Sequence, residues 1–132
     1  MRPLHCLPLL LSLLAACSSQ STGIGVDLVP QAQVDEEGVK AWQQLKSEVP
    51  ASPNAEYQAR ARRVADRVLK GAGEQPSQWE VLVFKSDEIN AFALPGNKIG
   101  VYEGMMKLAS SDDELAAVLG HEVGHNKAHH AA

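Results

Sequence analysis

His121, Glu122 and His125 stand in the order His-Glu-Val-Gly-His near the end of the chain, and four of the five histidines fall in its last twelve residues. On a helix, positions four apart are separated by about 6 Å of rise and roughly one turn, so both imidazoles leave the same face. Two such rings can meet one zinc ion at about 2.0–2.1 Å. Glu122 lies about 100° around the helix from His121, beside that face. From there its carboxylate reaches a water rather than the metal, which is the position of a general base in the hydrolysis of a carbonyl substrate. Three polar side chains on an otherwise apolar helix are costly to bury without such a partner. The alternative is a helix whose two histidines only make hydrogen bonds.

His129 continues the four-residue spacing past His125. It lies about 12 Å along the axis from His121, too far for one ion to take all three rings from a straight helix. A longer motif with glycine three and histidine six positions beyond the second ligand is excluded, because Ala128 and Ala131 stand there. His129 and His130 are therefore expected at the surface or beside the ligands, not among them.

These residues must be positioned by the elements around them. Ser111 with Glu114 three residues later forms a capping box, and Asp112 and Asp113 suit the positive end of a helix. Leu115, Val118, Leu119 and Val123, with small Ala116, Ala117, Gly120 and Gly124, make this helix apolar over most of its circumference, which predicts burial. Upstream, a helix is expected from near Asp35, with acids early and lysines late. Pro50 and Pro53 break the chain. A second helix is expected after Asn54, carrying Tyr57, Ala61, Val64, Val68 and Leu69 at helical spacing and ending at Gly71 and Gly73. Its arginines 60, 62, 63 and 67 read as a solvated face. Trp79 to Lys85 alternates like a strand. Ala91–Leu94 and Lys98–Tyr102 read as two more, joined by the turn residues Pro95-Gly96-Asn97. An antiparallel three-stranded meander is the expected sheet.

The chain has 132 residues, enough for one small domain, with 45% hydrophobic and 21% charged residues. Its net charge of −4 gives no footprint for nucleic acid. With 5% aromatics a large aromatic core is not expected. Residues 1–16 read as an export signal: Arg2, then an apolar run from Leu7 to Ala16 too short to span a bilayer. Small residues before Cys17 resemble a lipoprotein processing site, which would make Cys17 the lipidated first residue and the chain's link to a membrane; the alternative is a plain secretory signal with a chance cysteine. Cys6 leaves with the signal, so no disulfide is expected. Residues 17–34 read as a flexible tether and 35–132 as the folded part.

The block Asn-Ala-Phe-Ala-Leu-Pro-Gly at 90–96, the segment Asp-Asp-Glu-Leu-Ala-Ala-Val-Leu-Gly-His-Glu-Val-Gly-His at 112–125 and the lipoprotein signal together resemble the zinc metallopeptidases of the CAAX prenyl endopeptidase and HtpX-like group, peptidase family M48. The periplasmic lipoprotein branch is the most similar. Asn97 departs from the pattern, which commonly has a second glycine there. The resemblance implies an α+β fold of gluzincin type, with helices and a small antiparallel sheet packed on the zinc-binding helix. It implies one zinc ion on His121 and His125, Glu122 as catalytic base, and Asn90, Ala91, Phe92 and Ala93 as the strand that binds an extended polypeptide substrate. The family's third zinc ligand is a glutamate on a later helix, so this chain is expected to be the N-terminal part of a longer enzyme. Unfolded or misassembled envelope proteins are the implied substrates, met on the periplasmic side, with Ser18 after Cys17 suggesting the outer membrane. Two rivals remain: an inactive binding or chaperone-like module, and a non-catalytic metal-binding lipoprotein using His121, His125, His129 and His130.

Overall fold

The computed structural model describes residues 29–130, so the signal segment, Cys17 and most of the expected tether lie outside the described residues. Helix α1 spans Gln31–Glu48 and so begins before Asp35. Pro30 accounts for the earlier start: its φ of −55° is already helical, and its carbonyl accepts from the amides of Gln33 (2.8 Å) and Val34 (3.3 Å). Helix α2 spans Ala55–Gly71, and the Asn54 side chain accepts from the Tyr57 amide at 3.1 Å. It ends in a Schellman motif: Glu74 N–H reaches Leu69 O (2.9 Å) and Gly73 N–H reaches Lys70 O (3.1 Å), with Gly73 at φ +76°.

Strands β1 (Glu80–Phe84), β2 (Ala91–Leu94) and β3 (Lys98–Tyr102) form one sheet in the order β1-β3-β2. The sheet is mixed, which corrects the expected antiparallel meander: β3 pairs antiparallel with β2 but parallel with β1. Alternation identifies strands but not their order. Residues 85–90 carry no tight-turn pair, and they are long enough to cross two strand spacings of about 4.8 Å each. They therefore pass over the end of β3, and β3 fills the gap between its neighbours. The crossing is close. Gly104 N–H donates to Ser86 O at 3.0 Å, and a Cβ on Gly104 would run into the carbonyls of Asp87 and Glu88. The hairpin turn does use left-handed residues, Gly96 at φ +81° and Asn97 at φ +62°. Asn97 thus holds a conformation that asparagine tolerates.

The sheet has a helix layer on each face. Against one face lies α1, whose Trp42 meets Phe84 edge-on at 5.4 Å and Phe92 at 6.3 Å, with Tyr102 beside both phenylalanines. Four of the chain's six aromatic residues gather here, so composition alone understated this cluster. The other face packs on α2 and on α4 (Asp112–His130), through Val64, Leu69, Val83, Ile99, Val101, Leu115, Leu119 and Val123, all fully buried. A short helix α3, Glu103–Leu108, follows β3 directly and had no periodic signal. The arginines of α2 are a solvated face only in part: Arg63 and Arg67 are exposed, whereas Arg60 and Arg62 are half-buried. Arg60 and Arg63 bond Asp112 at 2.9 and 3.0 Å, and Arg60 also donates to the carbonyls of Met106 and Ala109, so α2 is tied to the start of α4. No described helix is long and apolar enough to cross a membrane.

Candidate metal centre

Helix α4 is set by its cap. Ser111 Oγ accepts from the Glu114 amide at 3.1 Å, and the Glu114 carboxylate returns to Ser110, at 2.8 Å to its amide and 3.0 Å to its hydroxyl. These bonds, the Ser110 hydroxyl first, hold the Glu114 carboxyl below its ordinary range. The hydrogen bond from Arg60, then that from Arg63, does the same for Asp112. Only one stripe of the helix is buried: Leu115, Leu119 and Val123. Ala117, His121, Gly124, His125 and Ala128 are exposed, so the burial expected from an apolar circumference is confined to that stripe. No described element covers that side.

The exposed side carries the histidines. His121 and His125 have ring centroids 6.0 Å apart, and His125 and His129 are 4.7 Å apart. Glu122, half-buried, joins His125, Asn126 and His129 along one wall of a cleft of about 320 Å³. The opposite wall is Val34, Ala93 and Pro95, from α1, β2 and the hairpin turn. His121 stands at the surface outside this lining. His129 is exposed, as expected, yet it also lines the cleft. Val34 falls within the stretch expected as tether, and no motif singles out Asn126. Val34 lies one helical turn before the buried Gly38, on the side of α1 that meets the hairpin turn.

The four residues expected to bind substrate divide by role. Asn90 O accepts from Tyr102 N–H at 3.0 Å, which fixes the phase of the antiparallel ladder. Asn90, Phe92 and Leu94 therefore bond toward β3, while the N–H and C=O of Ala91 and Ala93 point away from it. No described residue pairs with those outward groups. The Phe92 side chain lies in the aromatic layer on the far face, and the Ala93 side chain faces the cleft.

Two imidazoles sharing one tetrahedral zinc place their ring centroids roughly 5 Å apart. The 6.0 Å between His121 and His125 closes to that by side-chain rotation on an exposed face, so the pair fits a zinc ion. No group of three or more His, Cys, Asp or Glu able to hold a metal occurs among the described residues.

The profile of Peptidase family M48 matches residues 51–132, which takes in every helix and strand after α1. The mitochondrial metalloendopeptidase OMA1 of Schizosaccharomyces pombe is 41% identical over 70 residues, covering 53% of this chain and 21% of the relative. The metalloprotease LoiP of Escherichia coli is 36% identical over 95 residues, 71% of this chain and 36% of the relative. The metalloprotease YcaL of the same organism is 31% identical over 75 residues, 57% of this chain and 28% of the relative. The chain thus spans between about a fifth and just over a third of the length of these relatives.

Proposed function

The chain belongs to peptidase family M48, and from that premise we propose that it carries the metal-binding and substrate-strand part of a zinc-dependent endopeptidase. His121 and His125 hold the zinc ion. Zinc, when bound, supplies Lewis acidity, lowering the pKa of a water and polarising a peptide carbonyl. Glu122 accepts a proton from the attacking water and hands it to the leaving amine nitrogen as the C–N bond breaks. Ala91 and Ala93 offer outward backbone groups to an extended polypeptide, which pairs as an added strand. Only a chain without its own structure there can pair this way, which favours unfolded or misassembled polypeptides. Envelope proteins met on the periplasmic side, with the enzyme anchored through Cys17 in the outer membrane, are the reading its signal-like N-terminus supports.

The single observation behind this reading is that Glu122, His125 and Ala93 line one cleft. The proton-transfer group, a metal ligand and the open strand edge meet at one place. A second reading, a binding module that uses the same edge without turnover, is favoured by the lack of a third ligand among the described residues. Glu122→Gln separates them. With zinc and an unfolded model polypeptide, the peptidase loses about 10²- to 10⁴-fold in turnover while its zinc content is unchanged. Equal cleavage by the Gln variant sinks the role of Glu122. A wild-type chain that holds zinc and polypeptide but never cleaves favours the binding module.

A further inference from the structure

The geometry points to a second cation site on α4, overlapping the first, formed by His125 and His129. The segment His125-Asn126-Lys127-Ala128-His129 repeats the His-x-x-x-His spacing one turn further on. Its two rings lie 4.7 Å apart at 37°, against 6.0 Å and 51° for His121 and His125. Chelation of one ion by two imidazoles requires roughly 5 Å, so the second pair needs the smaller adjustment.

The surroundings allow a cation there. Both rings are exposed and line the cleft wall. The lysine between the two histidines is held elsewhere: Lys127 Nζ bonds Ala72 O at 2.6 Å and pairs with Glu74 at 3.1 Å, just past the end of α2. Imidazole donors select borderline divalent ions such as Zn²⁺, Ni²⁺ or Cu²⁺. A neutral imidazole has one free lone pair, so His125 serves one register at a time. The two sites therefore exclude each other.

They also differ in what stands beside the metal. Each register has one residue directly after its first histidine, Glu122 in the first and Asn126 in the second. An amide takes up no proton at neutral pH. A cation in the second register is bound in the cleft with no base in the matching place, and it withdraws His125 from the first. This is a silent, competing site, and it goes beyond the peptidase reading.

Zinc binding by calorimetry tests it without any activity readout. His5→Ala and His130→Ala are present throughout, so that those histidines contribute nothing. The parent then binds one zinc per chain. His121→Ala and His129→Ala each still bind one, and His125→Ala binds at least tenfold more weakly than either. Long-range ¹H–¹⁵N spectra of the His121→Ala chain show the His125 and His129 ring signals shifting together as zinc is added. If His121→Ala abolishes binding and His129→Ala leaves it intact, the second site is overturned and the peptidase reading stands. If His129→Ala abolishes binding and His121→Ala does not, the second site stands and the zinc role proposed for His121 falls. Two zinc ions bound at once overturn mutual exclusion. A parent that binds none overturns both sites.

Discussion

The two edges of the sheet are treated in opposite ways. The outer edge of β1 is occupied over its C-terminal half: Ala51 bridges Phe84, Ser52 N–H donates to Val83 O at 2.8 Å, and Lys85 N–H donates to Pro50 O at 2.8 Å. At Val83 the Gln58 side chain adds to this cover by imitating a strand. Its Oε1 accepts from Val83 N–H and its Nε2 donates to Val83 O, both at 2.9 Å. At the outer edge of β2, the groups of Ala91 and Ala93 have no partner among the described residues. An unpaired edge invites association, and proteins usually block it. Here one edge is blocked with a dedicated amide, and the edge beside Glu122 and His125 is left open. The proposed pairing of an extended polypeptide along β2 rests on this difference.

Breaking the closed edge has the largest expected effect. Gln58→Ala takes their side-chain partner from both the Val83 amide and the Ser52 carbonyl and removes one of two donors to the Val83 carbonyl, and each buried polar group left unpaired costs about 1–3 kcal/mol. A loss of about 2–4 kcal/mol in unfolding free energy is expected by urea denaturation. A change under about 0.5 kcal/mol would mean that water replaces the amide and the edge is not truly sealed. Next comes the wall between the open edge and α1. A Cβ on Gly38 would enter the Pro95 carbonyl, so Gly38→Ala pushes α1 off the hairpin turn. The expected loss is about 1–3 kcal/mol. Trp42, packed on Phe84 and Phe92, reports it by a shift in fluorescence at the same denaturant concentration.

The open edge is sharpened by a smaller change. Ala93→Pro removes an N–H that points away from β3, so the fold keeps its ladder, and proline is tolerated on edge strands. Polypeptide affinity, measured by fluorescence anisotropy with a labelled extended peptide, is expected to fall about two- to tenfold, the worth of one hydrogen bond. Phe92→Pro is the contrast, because its N–H bonds β3, and stability falls instead. If Ala93→Pro binds as well as the parent, the guest strand does not use this edge.

Much of this arrangement was legible in the sequence, for reasons that are local. The cap at Ser111, the turn at 95–97 and the alternation at 80–84 all act within a few residues. The His-Glu-x-x-His face needs only helical spacing. What was not legible depends on contacts between distant segments. The parallel pairing of β1 with β3 is set by how far residues 85–90 reach, not by any strand's own pattern. The role of Gln58 rests on a contact 25 positions away, and polar residues on an amphipathic helix ordinarily face water. Arg60 and Arg63 of α2 read as solvated because their partner, Asp112, lies some fifty positions on, at separations of 52 and 49 residues. Exposure of the histidine side of α4 was hidden because its small and apolar residues read as buried.

The tie between α2 and α4 gives the smallest predicted effect, and it concerns how firmly the cleft wall is anchored. Arg60 first and Arg63 second hold the Asp112 carboxyl below its ordinary value of 3.8. The folded value lies below the unfolded one, so this contribution is complete above the unfolded value. It is lost as pH falls through the folded value. Asp112→Asn should therefore unfold more easily than the parent at pH 7 and at pH 5 by the same margin. The two should converge as pH drops below about 3.8, the range in which the parent carboxylate takes up its proton. Thermal midpoints at a series of pH values, at fixed ionic strength, measure the convergence. A margin that persists in strong acid would show that Asp112 acts through packing or neutral hydrogen bonds. The anchoring of α4 would then not be ionic, and neither salt nor acid should loosen the wall that carries Glu122 and His125.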